Sequence, residues 1–141
     1  MEFEIAKEKA VKYLVTARKT EYEVRLKLKK GKFSDDIIDQ VIDYLIEIDY
    51  INDDEYVDAY IRQCMHLLNY SIFEIKQKLL QKGIKKDIIE KKVDKLKETS
   101  YETELKQKLL NGKLKNMEDI KVTKYLYRRG LLNSSNNFYE E

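Results

Sequence analysis

The 141-residue sequence predicts an all-α protein of tandem three-helix repeats, stacked into an elongated, curved array whose third repeat is incomplete. Three observations carry that expectation. The chain has no proline, only four glycines and 38% charged residues, and it is dominated by Leu, Ile, Lys and Glu, a helical composition. Its apolar residues recur at helical spacing, and no segment alternates with the period of a strand. Finally, "TEYEVRLKL" at residues 20–28 returns as "SIFEIKQKL" at residues 71–79, a constant offset of 51.

The first helix of each unit places Ala6, Ala10, Leu14 and Ala17 in register with Val57, Ile61, Met65 and Leu68 at that offset. The second begins at a hydroxyl residue followed three positions later by Glu: Thr20 with Glu23, and Ser71 with Glu74. This is the pattern of a capping box, in which the hydroxyl accepts from an early backbone N–H and the Glu reaches back to the cap. Val24 with Leu28, and Ile75 with Leu79, then lie one turn apart on one face. Lysines or arginines followed by Gly31, Gly83 and Gly130 mark three equivalent helix ends, where glycine supplies a left-handed residue and cations suit the last turn. Treating Gly31 and Gly83 as one position requires an extra residue near Lys32 in the first copy.

Third helices are expected at about 34–48 and 86–98, with Ile37, Ile42 and Leu45 answering Ile88, Val93 and Leu96. The units are read as residues 1–51, 52–99 and 100–141. In the last, "SYETELKQKLL" supplies a first helix broken by Asn111 and Gly112, and "NMEDIKVTKYLYRR" a second with Val122 and Leu126 inward. The polar "LNSSNNFYEE" has no helical period and reads as a frayed tail. A three-helix unit of about 50 residues is marginal alone, so neighbours are expected to share apolar surface.

Net charge is +2, divided as −1, +1 and +2 among the three units. Such balance argues against strong autonomous nucleic-acid binding, so any such role needs a local face. No apolar run reaches the length of a membrane-spanning helix, the charged start is unlike a signal peptide, and the single Cys64 excludes an internal disulfide. The expectation is a soluble, cytoplasmic monomer without cofactor or metal.

Catalytic candidates are sparse. Cys64 and His66 stand two apart and point to different sides of a helix, so Cys64 reads as core. "NDDE" with Asp53, Asp54, Glu55 and Asp58 lacks the ligand alternation and glycine of a calcium loop, and reads as a capped helix start. No phosphate-binding glycine loop is present. Tyr13, Tyr44, Tyr50, Tyr56 and Tyr60 fall near apolar positions and read as half-buried core, whereas Tyr125 and Tyr127 are candidates for stacking on a base.

The cations recur instead. Lys30, Lys82, Arg128 and Arg129 stand at helix ends, Lys27 and Lys78 repeat at the offset, and Arg18 and Arg62 lie near the ends of the first helices. The dipole explains each alone. Their recurrence in stacked units predicts an exposed basic row that meets a partner, with arginine suited to pairing carboxylate or phosphate.

Several segments together resemble the RecX family. They are Tyr13-Leu14, Arg18, the Thr20–Glu23 cap with "KL..G", then "YINDDEYVDAYIR", "LLQKGI" and "YLYRRGL", in that order and reaching about residue 131. The resemblance implies a non-enzymatic protein that binds the RecA recombinase in the groove of its filament on single-stranded DNA. It would there modulate, usually inhibit, strand exchange. Single-stranded DNA would be touched, if at all, within that filament. The alternative is a helix-turn-helix DNA-binding regulator, whose recognition helices would begin "FSDDIIDQ" and "IKKDIIEK". The first is acidic and would be repelled by phosphate. A purely structural helical scaffold is a third reading.

Overall fold

A computed structural model describes residues 1–132 of the chain. Among them are eight α-helices, one π-turn and no strand. The first unit comprises α1 (Glu2–Thr16), α2 (Glu21–Lys30) and α3 (Asp35–Glu47). In the second, α4 (Asp53–Gln63) runs into a π-turn (Cys64–Leu68) and is followed by α5 (Ile72–Gln81) and α6 (Lys86–Lys97). The third contributes α7 (Tyr101–Asn111) and α8 (Asp119–Arg128). The expected helices at 34–48 and 86–98 are present as α3 and α6, each slightly shorter. The tail from residue 133 lies outside the described residues, as does any last helix of the third unit.

Each unit has its own core. Ala6 and Ala10 of α1 let that helix approach α2 and α3 closely, over Val24, Leu28, Ile38, Val41, Ile42 and Leu45. The second core gathers Val57, Cys64, Ile75, Leu79, Ile89 and Val93 around the same geometry with larger side chains. The third is smaller: Leu105, Leu114, Leu126 and Leu131, with Tyr101 packing against both it and the second core. Val122 is half-buried and Leu126 buried, as the periodicity requires.

Four inward assignments do not hold. α1 ends at Thr16, so Ala17 is extended and exposed, and its counterpart Leu68 is exposed on the π-turn. Tyr44 and Tyr50 are also exposed, although the Tyr44 ring meets Phe3 of α1 edge-on. Tyr56 is buried, and Tyr13 and Tyr60 half-buried, as expected.

The glycine register also differs. Gly83 and Gly130 hold the left-handed conformation, with φ of 79° and 76°. In the first unit Lys32 does so, at φ 66°, while Gly31 sits at φ −78° as the helix cap. The offset of 51 therefore runs unbroken: Gly31 corresponds to Lys82, Lys32 to Gly83 and Phe33 to Ile84, and no extra residue is needed. The reason is packing. A Cβ on Gly83 would run into the ring of Tyr22, and one on Gly130 into Phe73, both aromatics coming from the preceding unit. Lys32 meets no such ring, so the left-handed turn carries a side chain there at the modest cost of that conformation.

Gly130→Ala is expected to lower stability by more than about 2 kcal/mol, combining backbone strain with overpacking. Gly31→Ala should cost less than about 1 kcal/mol, since its Cβ meets the movable ring edge of Phe33 at 2.9 Å and the Leu28 carbonyl only at ordinary contact, 3.4 Å. Urea denaturation of the two variants checks the contrast; equal losses would show that the left-handed turn is unimportant.

Candidate partner-binding surface

The cations proposed as a row are sorted by a joint between units, built on the capping boxes. Thr20 accepts from the Glu23 amide at 3.2 Å, and Glu23 accepts from the Thr20 amide at 2.9 Å. Ser71 and Glu74 make the same pair of bonds, at 3.1 and 2.8 Å. Both boxes are therefore complete. Each hydroxyl then does something that no local rule requires. Thr20 donates to the carbonyl of Lys82, 2.8 Å away and 62 residues on. Ser71 donates likewise to the carbonyl of Arg129. Both hydroxyl residues are fully buried.

The rest of the joint repeats as well. Asp53 accepts from the first amide of α2 at 2.9 Å, and Glu102 from the first amide of α5 at 2.7 Å. Each is a carboxylate at a helix N-terminus, where it offsets the dipole. Lys82 faces Glu23 at 4.0 Å, and Arg129 pairs with Glu74 at 2.8 Å. The second joint is the tighter. Arg129 also donates to the Tyr125 hydroxyl at 2.9 Å and to the Asn69 carbonyl at 2.7 Å, and the Tyr101 hydroxyl donates to the Tyr70 carbonyl at 2.6 Å. Burial alone would lower the Arg129 pKa, but Glu74 and Tyr125 outweigh it and hold the guanidinium charged.

Two of the eight candidate cations are thereby turned inward. The Arg129 side chain is 20% exposed and Lys82 30%, so the expectation that they stand openly on a basic row fails. The cause is the one-residue register. Lys82 and Arg129 occupy the position of Gly31, aimed at the preceding unit, whereas Arg128 occupies that of Lys30 and points to solvent. Lys27 and Lys78 are exposed, with their ammonium groups near the rings of Tyr13 and Tyr70. Arg18 is exposed and 3.9 Å from Glu55, a pair of little energetic consequence. Arg62 is exposed on α4. The outward set is thus Arg18, Lys27, Lys30, Arg62, Lys78 and Arg128.

The joint acids were legible only as helix-start residues. Asn52 caps α4 by accepting from the Glu55 amide at 3.1 Å, while Lys92 bridges Asp54 and Asp58 at 3.2 and 3.0 Å. The described residues contain no group of three His, Cys, Asp or Glu able to hold a metal ion. Burial pushes the Cys64 thiol up, keeping it protonated in the second core. Tyr125 is engaged by Lys113 as well as Arg129, whose hydrogen bonds outweigh burial and bring its phenol below the ordinary value. Tyr127, by contrast, is exposed.

Family models match both complete units: RecX, first three-helix domain, at residues 6–45, and RecX, second three-helix domain, at residues 52–92. The chain belongs to the RecX family. The Regulatory protein RecX of Caldanaerobacter subterraneus subsp. tengcongensis is 32% identical over 126 residues, covering 89% of this chain and 64% of that protein. That of Streptococcus agalactiae serotype III is 37% identical over 97 residues, covering 69% and 38%. The chain thus spans 64% or less of the length of these curated RecX relatives. The crystal structure of RecX from Lactobacillus salivarius superposes with a TM-score of 0.77 at 28% identity, over 94% of this chain and 90% of that one. A second RecX crystal structure, at 24% identity and TM-score 0.80, shares the fold. No described helix is long and apolar enough to cross a membrane.

Burial pushes the Tyr101 phenol up to about 12. A pKa raised on folding means that the protonated phenol stabilises the fold fully below pH 10, and that this contribution is lost as pH rises through about 12. Melting temperature should fall over that window. Tyr101→Phe should start lower, having lost the bond to Tyr70, and fall less steeply; parallel curves would mean that the Tyr101 hydroxyl does not titrate with the fold.

Proposed function

We propose that this RecX-family chain regulates a RecA-type recombinase by lodging on its filament on single-stranded DNA and holding back strand exchange. The observation that carries this reading is the tandem of two RecX three-helix domains joined head to tail by a joint that recurs before the third unit. A repeated joint sets several units at related orientations. An array of that kind can meet successive protomers of a helical filament, where modest contacts add through effective concentration. The action is one of binding, without catalysis or cofactor, by a monomer in the cytoplasm.

The outward cations supply the chemistry. The filament would present phosphates and carboxylates together, and the exposure of Arg18, Lys27, Lys30, Arg62, Lys78 and Arg128 supports their meeting them. Lys82 and Arg129 serve by fixing the angle between units. The helix-turn-helix reading is weaker on charge: α3 carries Asp35, Asp36, Asp39, Asp43 and Glu47 and no cation. A helix of that charge is repelled by a phosphate-lined groove.

Changing Lys30, Lys78 and Arg128 together to Glu should weaken inhibition of RecA's DNA-dependent ATPase at least tenfold at low salt, and less at high salt. Since all three are exposed, stability should move by no more than about 1 kcal/mol. A triple variant that melts normally and inhibits at the wild-type concentration would remove these cations from the interface. Tighter binding of the wild type to free duplex DNA than to the filament would favour the helix-turn-helix reading.

A further inference from the structure

The joint has two halves, and each is written three times. The offering half is the N-terminus of a unit's middle helix: hydroxyl cap, aromatic, and Glu. It reads Thr20-Tyr22-Glu23, then Ser71-Phe73-Glu74, then Glu118-Ile120-Lys121. The receiving half is the C-terminus of that helix: a residue that gives its carbonyl and a cation, then a left-handed residue. It reads Gly31-Lys32, then Lys82-Gly83, then Arg129-Gly130. Two offering halves meet two receiving halves within the chain. The third offering half and the first receiving half have no such partner among the described residues, and these two alone depart from the pattern.

Four of the departures oppose docking. Glu118 caps α8 in position but makes no side-chain capping bond, and a carboxylate cannot donate to a carbonyl as Thr20 and Ser71 do. Lys121 stands where Glu23 and Glu74 receive a cation, so the sign of the charge is reversed. Ile120, in the place of the ring that covers a glycine, is left 62% exposed. At the other end Gly31 supplies no cation, and Lys32 puts a side chain where Tyr22 and Phe73 close over Gly83 and Gly130.

We propose that Glu118, Lys121, Gly31 and Lys32 block head-to-tail joining of this chain to a second copy of itself. The joint is a heterologous contact, one surface meeting a different one. Between copies with complementary halves, such a contact propagates into filaments instead of closing. Hydrogen-bond polarity, charge and shape each disarm it, while the internal joints keep full complementarity.

Transplanting the blocked ends into internal joints tests this on the full chain by hydrogen exchange. Ser71→Glu with Glu74→Lys should reduce protection of the α8 amides at least tenfold while the α2 amides keep theirs. Loss of a cap could fray α5 by itself, so Ser71→Asp is the second variant. Aspartate caps a helix but has no proton to donate, so α5 should stay protected while α8 loses protection. Gly83→Lys should open the first joint, and adding Tyr22→Ala should restore it. In the converse experiment, Gly31→Lys, Lys32→Gly, Glu118→Ser and Lys121→Glu are combined. Sedimentation equilibrium is then followed up to about millimolar protein, the effective concentration of a short linker. The fourfold variant should show a rising average mass while the wild type stays constant. Wild-type protection in the internal transplants, or a folded fourfold variant that sediments like the wild type, would overturn the proposal.

Discussion

One side-chain oxygen in each of the two complete units sets the architecture. Thr20 and Ser71 accept a hydrogen bond from their own helix and donate one to a carbonyl of the next unit, using both capacities of a hydroxyl at once. Because both residues are fully buried, neither bond has water to replace it. Losing the donor would leave a buried carbonyl without its partner, a penalty larger than the net worth of an ordinary hydrogen bond. The same hydroxyl therefore serves both the helix start and the stacking of units.

Around that oxygen, three other forces agree. A carboxylate from the next unit's first helix, Asp53 or Glu102, satisfies the first amide of α2 or α5. The Glu of the box, already tied to the cap, also receives a cation from the next unit. An aromatic closes over a glycine that has no room for a side chain. The two joints differ in strength for a visible reason. Arg129 reaches Glu74, Tyr125 and the Asn69 carbonyl together with its planar fork, whereas the Lys82 ammonium stays 4.0 Å from Glu23. The second joint therefore carries more hydrogen bonds than the first.

This arrangement changes which cations can act on a partner. Basic residues before a glycine look alike in sequence, yet Arg128 and Arg129 have opposite fates. Helix geometry turns adjacent residues about 100° apart. One therefore faces solvent and the other the preceding unit. A regulator that reads a filament needs both kinds, cations that touch and cations that hold the touching surfaces at a set angle.

Much of this was legible in the chain itself. The offset of 51, the Thr-x-x-Glu and Ser-x-x-Glu caps, the apolar spacing of α3 and α6 and the break at Gly112 are local features, governed by hydrogen bonding and periodicity within a few residues. The family, too, showed in motifs of that scale. The joint did not, because its partners lie 55 to 62 residues apart in the two crossings through Glu74–Arg129 and Thr20–Lys82. Nothing in a capping box says where the hydroxyl's proton will go. Likewise Gly31 looked equivalent to Gly83, and only packing showed that the position matching Gly83 is Lys32, since the need for glycine comes from a ring on another unit. Sequence alone determined the helices, their caps and their repetition; tertiary structure alone decided which side chains lock the repeats together and which stay free, because that choice depends on surfaces meeting across space.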